Sequence, residues 1–220
     1  MYLIVAATED EIKSLVHVSG KVEQVDFLVT GVGPVAAAVK LSSYLSDRSS
    51  ELSAVLNVGV GGGYPNSGLD ILDICVAGQE ILGDLGICMG DEIVDFDTAK
   101  LQATNRISME GPLLSTVEKI LKSGSISYNI VNFITMNCCS GTEERGVYLQ
   151  SKFLAACENM EGAAVAFACQ EFQVPCVEIR CISNMVEDRN PDNWQLADAS
   201  DKVCTVARVL LESLITQQSN

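Results

Sequence analysis

At 220 residues, with 48% hydrophobic positions and only 20% charged, the chain can bury one substantial core and needs no more than one domain, spanning 1–220. A formal net charge of −15 brings no cluster of Lys and Arg, which argues against nucleic acid or an anionic membrane as partner, although solubility alone would also explain it. No apolar run reaches the roughly 18 residues of a membrane span.

The start, Met1 to Ala7, lacks a basic region and runs directly into Glu9-Asp10-Glu11, so it reads as a first strand and not a signal peptide. Predicted strands follow as short apolar or β-branched runs: Leu3 to Ala7, Phe27 to Thr30, Ala54 to Val58, Ile71 to Ala77, Ile130 to Thr135 and Val177 to Ile182. Helical patterns separate them: Glu9 to Val16, Pro34 to Ser46, Leu113 to Lys122, Glu143 to Cys157, Glu161 to Glu171 and Asp198 to Thr216. Pro34 at the start and the Ala36, Ala37, Ala38 face suit the second of these. Continuous apolar strands between helices imply a single α/β domain with a mixed, twisted central sheet covered on both faces.

Gly59-Val60-Gly61-Gly62-Gly63 follows the third strand and reads as a loop, either a tight turn or a place where a ligand meets Val60 and Gly61 without Cβ interference. Its spacing is not G-x-G-x-x-G and no P-loop lysine follows, so a dinucleotide or ATP site is not expected. The glycine-punctuated stretch Asp84 to Thr104 reads as loops.

Cys75, Cys88, Cys138, Cys139, Cys157, Cys169, Cys176, Cys181 and Cys204 lie mostly in apolar runs without C-x-x-C pairs. They read as reduced core residues of a cytoplasmic protein. The one histidine, His17, has no second ligand at metal spacing and reads as a packing or surface residue, so neither a zinc site nor a His-based nucleophile pair is expected. No metal and no organic cofactor are implied.

Asn159-Met160-Glu161-Gly162-Ala163-Ala164 opens a helix ahead of a strand that closes in Arg180-Cys181-Ile182-Ser183-Asn184. Ligands of open α/β sheets bind at the carboxyl ends of strands, so Glu161 and Asn184 are expected to converge on one pocket. Cleaving an N-glycosidic bond passes through an oxocarbenium-like sugar and calls for an activated water, a hold on the ribose hydroxyls and help for the leaving base. Two carboxylates and a hydrogen-bonding group supply these.

The motifs Ala6-Ala7-Thr8-Glu9-Asp10-Glu11, Thr30 to Ala38, Asn57 to Gly62, Met160 to Ala164 and Arg180 to Asn184 resemble, in order and spacing, those of the purine nucleosidase/phosphorylase superfamily. Within it the chain is most similar to the futalosine hydrolases of the alternative menaquinone pathway, and next to the methylthioadenosine/S-adenosylhomocysteine nucleosidases. The resemblance implies that Glu11 activates water, Glu161 grips the ribose hydroxyls and Met160 flanks the sugar. Taken alone, Glu9-Asp10-Glu11 would be acidic residues favoured by a helix dipole, and Met160 a core residue. Asn184 stands where the methylthioadenosine nucleosidases place an aspartic acid that protonates N7. An amide donates only a hydrogen bond there, and its planar end suits a 6-oxo or a 6-amino group; Glu187 or Asp188 would have to deliver any proton through water.

The resemblance puts Cys138-Cys139 at the six-membered edge of the base, without the family's aromatic, and Ser183 and Asn159 are further candidate substrate-binding residues. Trp194 either closes over the base or anchors the last helix. Arg145 and Lys152 are candidates for a 5′ carboxylate or simple surface residues. Because Asn57 to Gly63 holds no basic residue for a phosphate cradle, water is the expected nucleophile. The expected partner is a small purine nucleoside, and the family resemblance implies a homodimer. A non-catalytic nucleoside-binding protein is the competing class.

Overall fold

In the computed structural model, which describes residues 1–19, 24–96, 100–101 and 104–218, the chain alternates strands and helices in the order β1 Tyr2–Ala6, α1 Glu9–Ser19, β2 Val25–Val29, α2 Pro34–Arg48, β3 Ala54–Gly63 and β4 Ile74–Leu82. Short strands β5 Ile87–Met89, β6 Glu92–Val94 and β7 Arg106–Ser108 precede α3 Pro112–Ser123, β8 Asn129–Thr135 and α4 Glu143–Phe153. The chain then forms β9 Cys157–Asn159, α5 Gly162–Glu171, β10 Cys176–Met185 and α6 Leu196–Gln218. The fold is a single α/β domain with a mixed sheet, and none of its described helices is long and apolar enough to cross a membrane.

The main sheet runs β10-β4-β8-β9-β3-β1-β2, and β10 also pairs with β3, so the strands between them curl back into a closed ring that β1 and β2 extend. Strands β1, β2, β3 and β10 are mutually parallel along this path, which brings their carboxyl ends to one edge. One face buries Ile4, Leu56, Val58 and Ile179 under Ile12 and Leu15 of α1 and Val203, Leu210 and Leu214 of α6. The other buries Leu3, Val5 and Val55 under Leu41 and Leu45 of α2 and Val165 of α5. Apolar side chains alternate between these two covers along each strand, as a sheet buried on both sides requires.

The structure departs from the sequence reading at several points. The glycine run is not a loop: β3 continues through Gly63, paired with β10 on one side and β9 on the other. Neighbouring side chains demand the glycines, since a Cβ on Gly59 would lie 2.5 Å from Glu11 Oε1 and one on Gly61 2.6 Å from Cys157 Sγ. Asp84 to Thr104 is not all loop, because β5 and β6 form a hairpin there. β4 begins three residues later than expected and runs on to Leu82. α4 stops at Phe153 because Leu154 turns left-handed at φ 53°, and Cys157 belongs to a strand. Cys88, Cys138 and Cys139 are exposed, although the other six cysteines are wholly or partly buried and all nine are free thiols. The side chain of His17 lies outside the described residues.

Candidate active site

A cavity of about 850 Å³ opens at the carboxyl edge of β1, β3 and β10, bounded by the starts of α1, α5 and α6. Glu11, Val60, Gly61, Cys139, Asn159, Met160, Glu161, Ser183, Asn184 and Trp194 all border it; Cys138 does not.

Thr8 and Glu11 form a capping box at the start of α1. The Thr8 N–H and hydroxyl each donate to Glu11 Oε2 at 3.0 Å, while the Glu11 N–H donates to Thr8 Oγ at 3.4 Å. The other carboxylate oxygen, Oε1, accepts from the Val60 N–H at 3.1 Å. One acidic residue thereby joins α1 to β3, and it is buried.

Glu161, the expected first residue of the helix, sits at the N-cap of α5, which starts one residue later, and its side chain does not cap the helix. Asn159 does so in its place, its Oδ1 accepting from the N–H groups of Glu161 and Gly162 at 2.9 and 2.7 Å. Glu161 is left free to reach across to Gly33, whose N–H donates to its Oε1 at 2.9 Å. Gly33 holds φ 96°, a left-handed region that glycine enters without strain, and this aims its N–H at the carboxylate.

Between the two carboxylates lies a residue the sequence reading assigned no role, Arg180. Its guanidinium is almost wholly buried; Nη2 is 3.5 Å from Glu161 Oε2 and Nη1 is 3.9 Å from Glu11 Oε1. Nε is tied to Glu178 Oε1 at 2.8 Å and Nη1 donates to Val60 O at 3.2 Å. Burial alone would pull the guanidinium's pKa down, but the charges of Glu178, Glu161 and Glu11 outweigh it and hold it up. Burial raises the Glu161 carboxyl, against the opposing pull of Arg180 and the Gly33 N–H.

Behind Arg180, Glu80 of β4 stands beside Glu178. Glu80 Oε1 accepts from Asn159 Nδ2 at 2.6 Å and Oε2 from Thr135 Oγ at 2.8 Å. Burial first, then the charge of Glu178, pushes the Glu80 carboxyl well above the usual range. Glu178 Oε2 has no hydrogen-bond partner among the described residues. The Cα of Gly162 packs against both carboxyls, and a Cβ there would collide with each.

At the opposite end of the cavity amide and hydroxyl groups gather around Asn184. The Ser183 hydroxyl donates to Asn184 Oδ1 at 2.8 Å, and Asn184 Nδ2 donates to Met185 O at 3.1 Å. One N–H and one lone pair of Oδ1 therefore remain on Asn184 for a ligand. Trp194 borders the cavity with Arg189 stacked 4.6 Å over its ring.

Arg145 and Lys152 do not border the cavity. Arg145 donates to Asp91 O at 2.9 Å and Lys152 pairs with Asp95 at 3.2 Å; the basic residues lining the cavity are Lys13, Arg180 and Arg189. Glu187 and Asp188 also lie off it, engaged by Asn193 Nδ2 and the Glu143 N–H. The spacing of Glu178 and Arg180 was the available signal for the missed cation, since i and i+2 of a strand share a face.

The sequence profile of the phosphorylase superfamily matches residues 6–216. The chain belongs to this family. Futalosine hydrolase of Thermus thermophilus is 28% identical over 188 residues, covering 84% of this chain and 80% of that one. Aminodeoxyfutalosine nucleosidase of Helicobacter pylori is 31% identical over 135 residues, 61% of this chain and 57% of its own length. A solved futalosine hydrolase mutant of Helicobacter pylori superposes with a TM-score of 0.84 at 21% identity, covering 96% of this chain and 98% of that one. The phosphorylase superfamily resemblance read from the motifs thus extends over nearly the whole chain and its fold.

Proposed function

We propose that the chain hydrolyses the N-glycosidic bond of a 5′-modified purine nucleoside, and that futalosine, cleaved to hypoxanthine and dehypoxanthine futalosine in the alternative menaquinone pathway, is its substrate. The observation that carries this reading is the convergence of Glu11 and Glu161 on Arg180 at one end of a cavity whose other end presents the Asn184 amide. The relatives named as futalosine hydrolases and nucleosidases support the same chemistry.

Glu11 is the base for water: its oxygens are fixed by Thr8 and Val60, and a positioned base is worth about 10²–10⁴-fold in rate. Glu161 accepts from the ribose hydroxyls, an interaction that strengthens as positive charge grows on the ring. Met160 and Val60 give the sugar its apolar flank, and Asn184 donates to purine N7 while Trp194 covers the base. Arg180 places a positive charge beside both carboxylates and opposes the rise that burial gives Glu161. It is also the basic residue that the glycine strand itself lacks, yet its three carboxylate partners leave it unsuited to a phosphate ion, so water remains the nucleophile.

A second reading is supported by the Helicobacter pylori relative named for an amino substrate: release of adenine from aminodeoxyfutalosine or methylthioadenosine. A cytoplasmic location suits nine free thiols, three of them exposed. A homodimer suits the exposed Val32, Val35 and Val39 at the start of α2, the first of which borders the cavity; light scattering at twice the 23.5 kDa chain mass is expected.

The test is base release from futalosine, aminodeoxyfutalosine and methylthioadenosine, supplied separately in phosphate-free buffer and resolved by chromatography. Hypoxanthine from futalosine, unaccelerated by added phosphate, is the expected result. Adenine from the amino substrates instead would transfer the chain to the second reading. Tight nucleoside binding without any release would make it a binding protein.

A further inference from the structure

Glu80 and Glu178 are wholly buried, lie behind the cavity lining and take no step in the chemistry above. Glu80 receives three donors: the Asn159 amide on Oε1 at 2.6 Å, and the Thr135 hydroxyl and the Ile81 N–H on Oε2 at 2.8 and 3.1 Å. A carboxylate has about four lone-pair sites, so one remains, on Oε1. Glu178 Oε2 stands beside that oxygen, since a Cβ on Gly162 would collide with both at once. While Glu178 Oε1 accepts from Arg180 Nε at 2.8 Å, its Oε2 has no partner. Asn57, in register with Glu178 on β3, holds the other unpartnered buried atom among the described residues, Nδ2, and does not reach it. Two bare carboxylate oxygens side by side in a dry interior repel, and one proton between them turns the repulsion into a hydrogen bond.

Each acid carries a different part of the charged end. Asn159 Oδ1 and Thr135 Oγ accept the N–H groups of Glu161, Gly162 and Ala163 at 2.7–2.9 Å, so the two side chains that lean on Glu80 hold the first turn of α5 and with it Glu161. Glu178 holds Arg180. The link between the two acids therefore joins the support of Glu161 to that of Arg180, whose Oε2 and Nη2 face each other at 3.5 Å.

We propose that Glu80 and Glu178 are positioning residues that share one proton: the Glu80 acid donates from Oε1 to Glu178 Oε2, and this bond clips Arg180 to Glu161. The inference rests on the nucleoside-cleaving reading of the cavity and deepens it by adding the part that sets the spacing of its charged end. The positive charge of Arg180 lies against Glu178, and the upward push on the Glu80 carboxyl keeps the proton on Glu80. As pH rises that proton leaves, two negative charges meet and the clip opens. The other titratable groups around the pair are Arg180, with Glu11 and Glu161 beyond it, and the thiols of Cys157 and Cys176. Burial holds the Cys157 thiol well up, and its hydrogen bond with Cys169 followed by burial does the same for Cys176, so both stay neutral.

The experiment follows two readouts across pH in the parent, Glu80→Gln and Glu178→Gln: the infrared carbonyl stretch of a protonated acid, and kcat/KM for base release from futalosine. At neutral pH the parent is expected to show a buried-acid band, and with rising pH the band and base release disappear together. Both variants lose the band. In Glu80→Gln the Ile81 and Thr135 donors hold the amide oxygen at the Oε2 position, so the nitrogen donates to Glu178 at every pH, at the loss of the Asn159 bond. In Glu178→Gln the Arg180 Nε–H holds the amide oxygen, so the nitrogen donates to Glu80, which ionises. Each variant keeps base release at the pH where the parent has lost it, with kcat at neutral pH lowered by no more than about tenfold, the worth of one hydrogen bond. A band that survives in either variant comes from another acid, such as Glu161, or from an unshared proton, and overturns the proposal, as does a parent without a band. An alkaline limb unchanged in the variants would reduce the pair to structural filling and overturn it too. Should neither variant fold, the parent decides alone, because band and activity lost at different pH values sink the clip. Absence of base release with the infrared result intact would remove the catalytic reading and leave a proton-sharing pair that holds Arg180.

Discussion

The two ends of the cavity are built on different physics. At the ribose end one cation, Arg180, serves Glu11, Glu161 and Glu178, and behind them burial pushes the Glu80 carboxyl well above the usual range. At the base end Glu158, Ser140, Ser183 and Asn184 are fixed by short directional hydrogen bonds. In a dry interior a charge acts on every neighbour, so a change at the ribose end spreads through β10, α1 and α5. A hydrogen bond acts on one partner, so changes at the base end remain local.

Removing the cation is the most severe way to test that contrast. Arg180→Met leaves three carboxylates buried without a counter-charge, and breaking buried pairs of this kind costs about 3–5 kcal/mol. Denaturant unfolding is expected to show a loss of that size together with complete loss of base release. A variant as stable as the parent would mean that the carboxylates are not held by charge.

Removing one carboxylate is milder for the fold and nearly as severe for chemistry. Glu11→Gln and Glu161→Gln are each expected to lower kcat by roughly 10²–10⁴-fold with unfolding midpoints close to the parent's. In the proposed mechanism Glu161 must also be ionised to accept from ribose hydroxyls. Because burial raises its pKa, activity of the parent should fall with decreasing pH at a point above the ordinary glutamate value of about 4.3. A kcat/KM profile flat down to that value would remove Glu161 from the mechanism.

The proton on Glu80 gives a third test, read in stability and not in turnover. A carboxyl whose folded-state pKa lies above its unfolded value contributes fully below the unfolded value of about 4.3. The contribution drains away as pH rises through the folded-state pKa. Glu80→Gln cannot ionise and escapes that loss. Melting curves from about pH 4 to about pH 9 should therefore diverge in favour of the variant as pH rises; parallel curves would place the proton elsewhere.

The same contrast explains what the sequence disclosed. Strands β1, β2 and β10 and helices α2 and α5 were legible because apolar runs and Pro34 report local preference directly. β5, β6, β7 and β9 span three residues each, too few for alternation to register. The glycines of β3 signalled a loop, whereas Glu11, Arg180 and Cys157 require them from other elements. Glu11, Glu161, Met160 and Asn184, which border one cavity, were singled out by motifs. Glu80 and Glu158 were not, because each finds its partners on strands and loops distant in the chain, and no spacing encodes that.

Ser183→Ala is expected to have the smallest effect, and its size discriminates between the two ends. The lost hydroxyl held Asn184 Oδ1 at 2.8 Å and also reached Gly61 O at 3.3 Å. Without it the amide can turn over and face N7 with its oxygen, setting two acceptors against each other. One neutral hydrogen bond is worth about 0.5–1.5 kcal/mol, so kcat/KM should fall roughly threefold to tenfold while the acid limb and the melting temperature stay in place. A shifted acid limb would show that the base end is coupled electrostatically to Glu161 after all, and the division of the cavity into a charged end and a hydrogen-bonded end would fail.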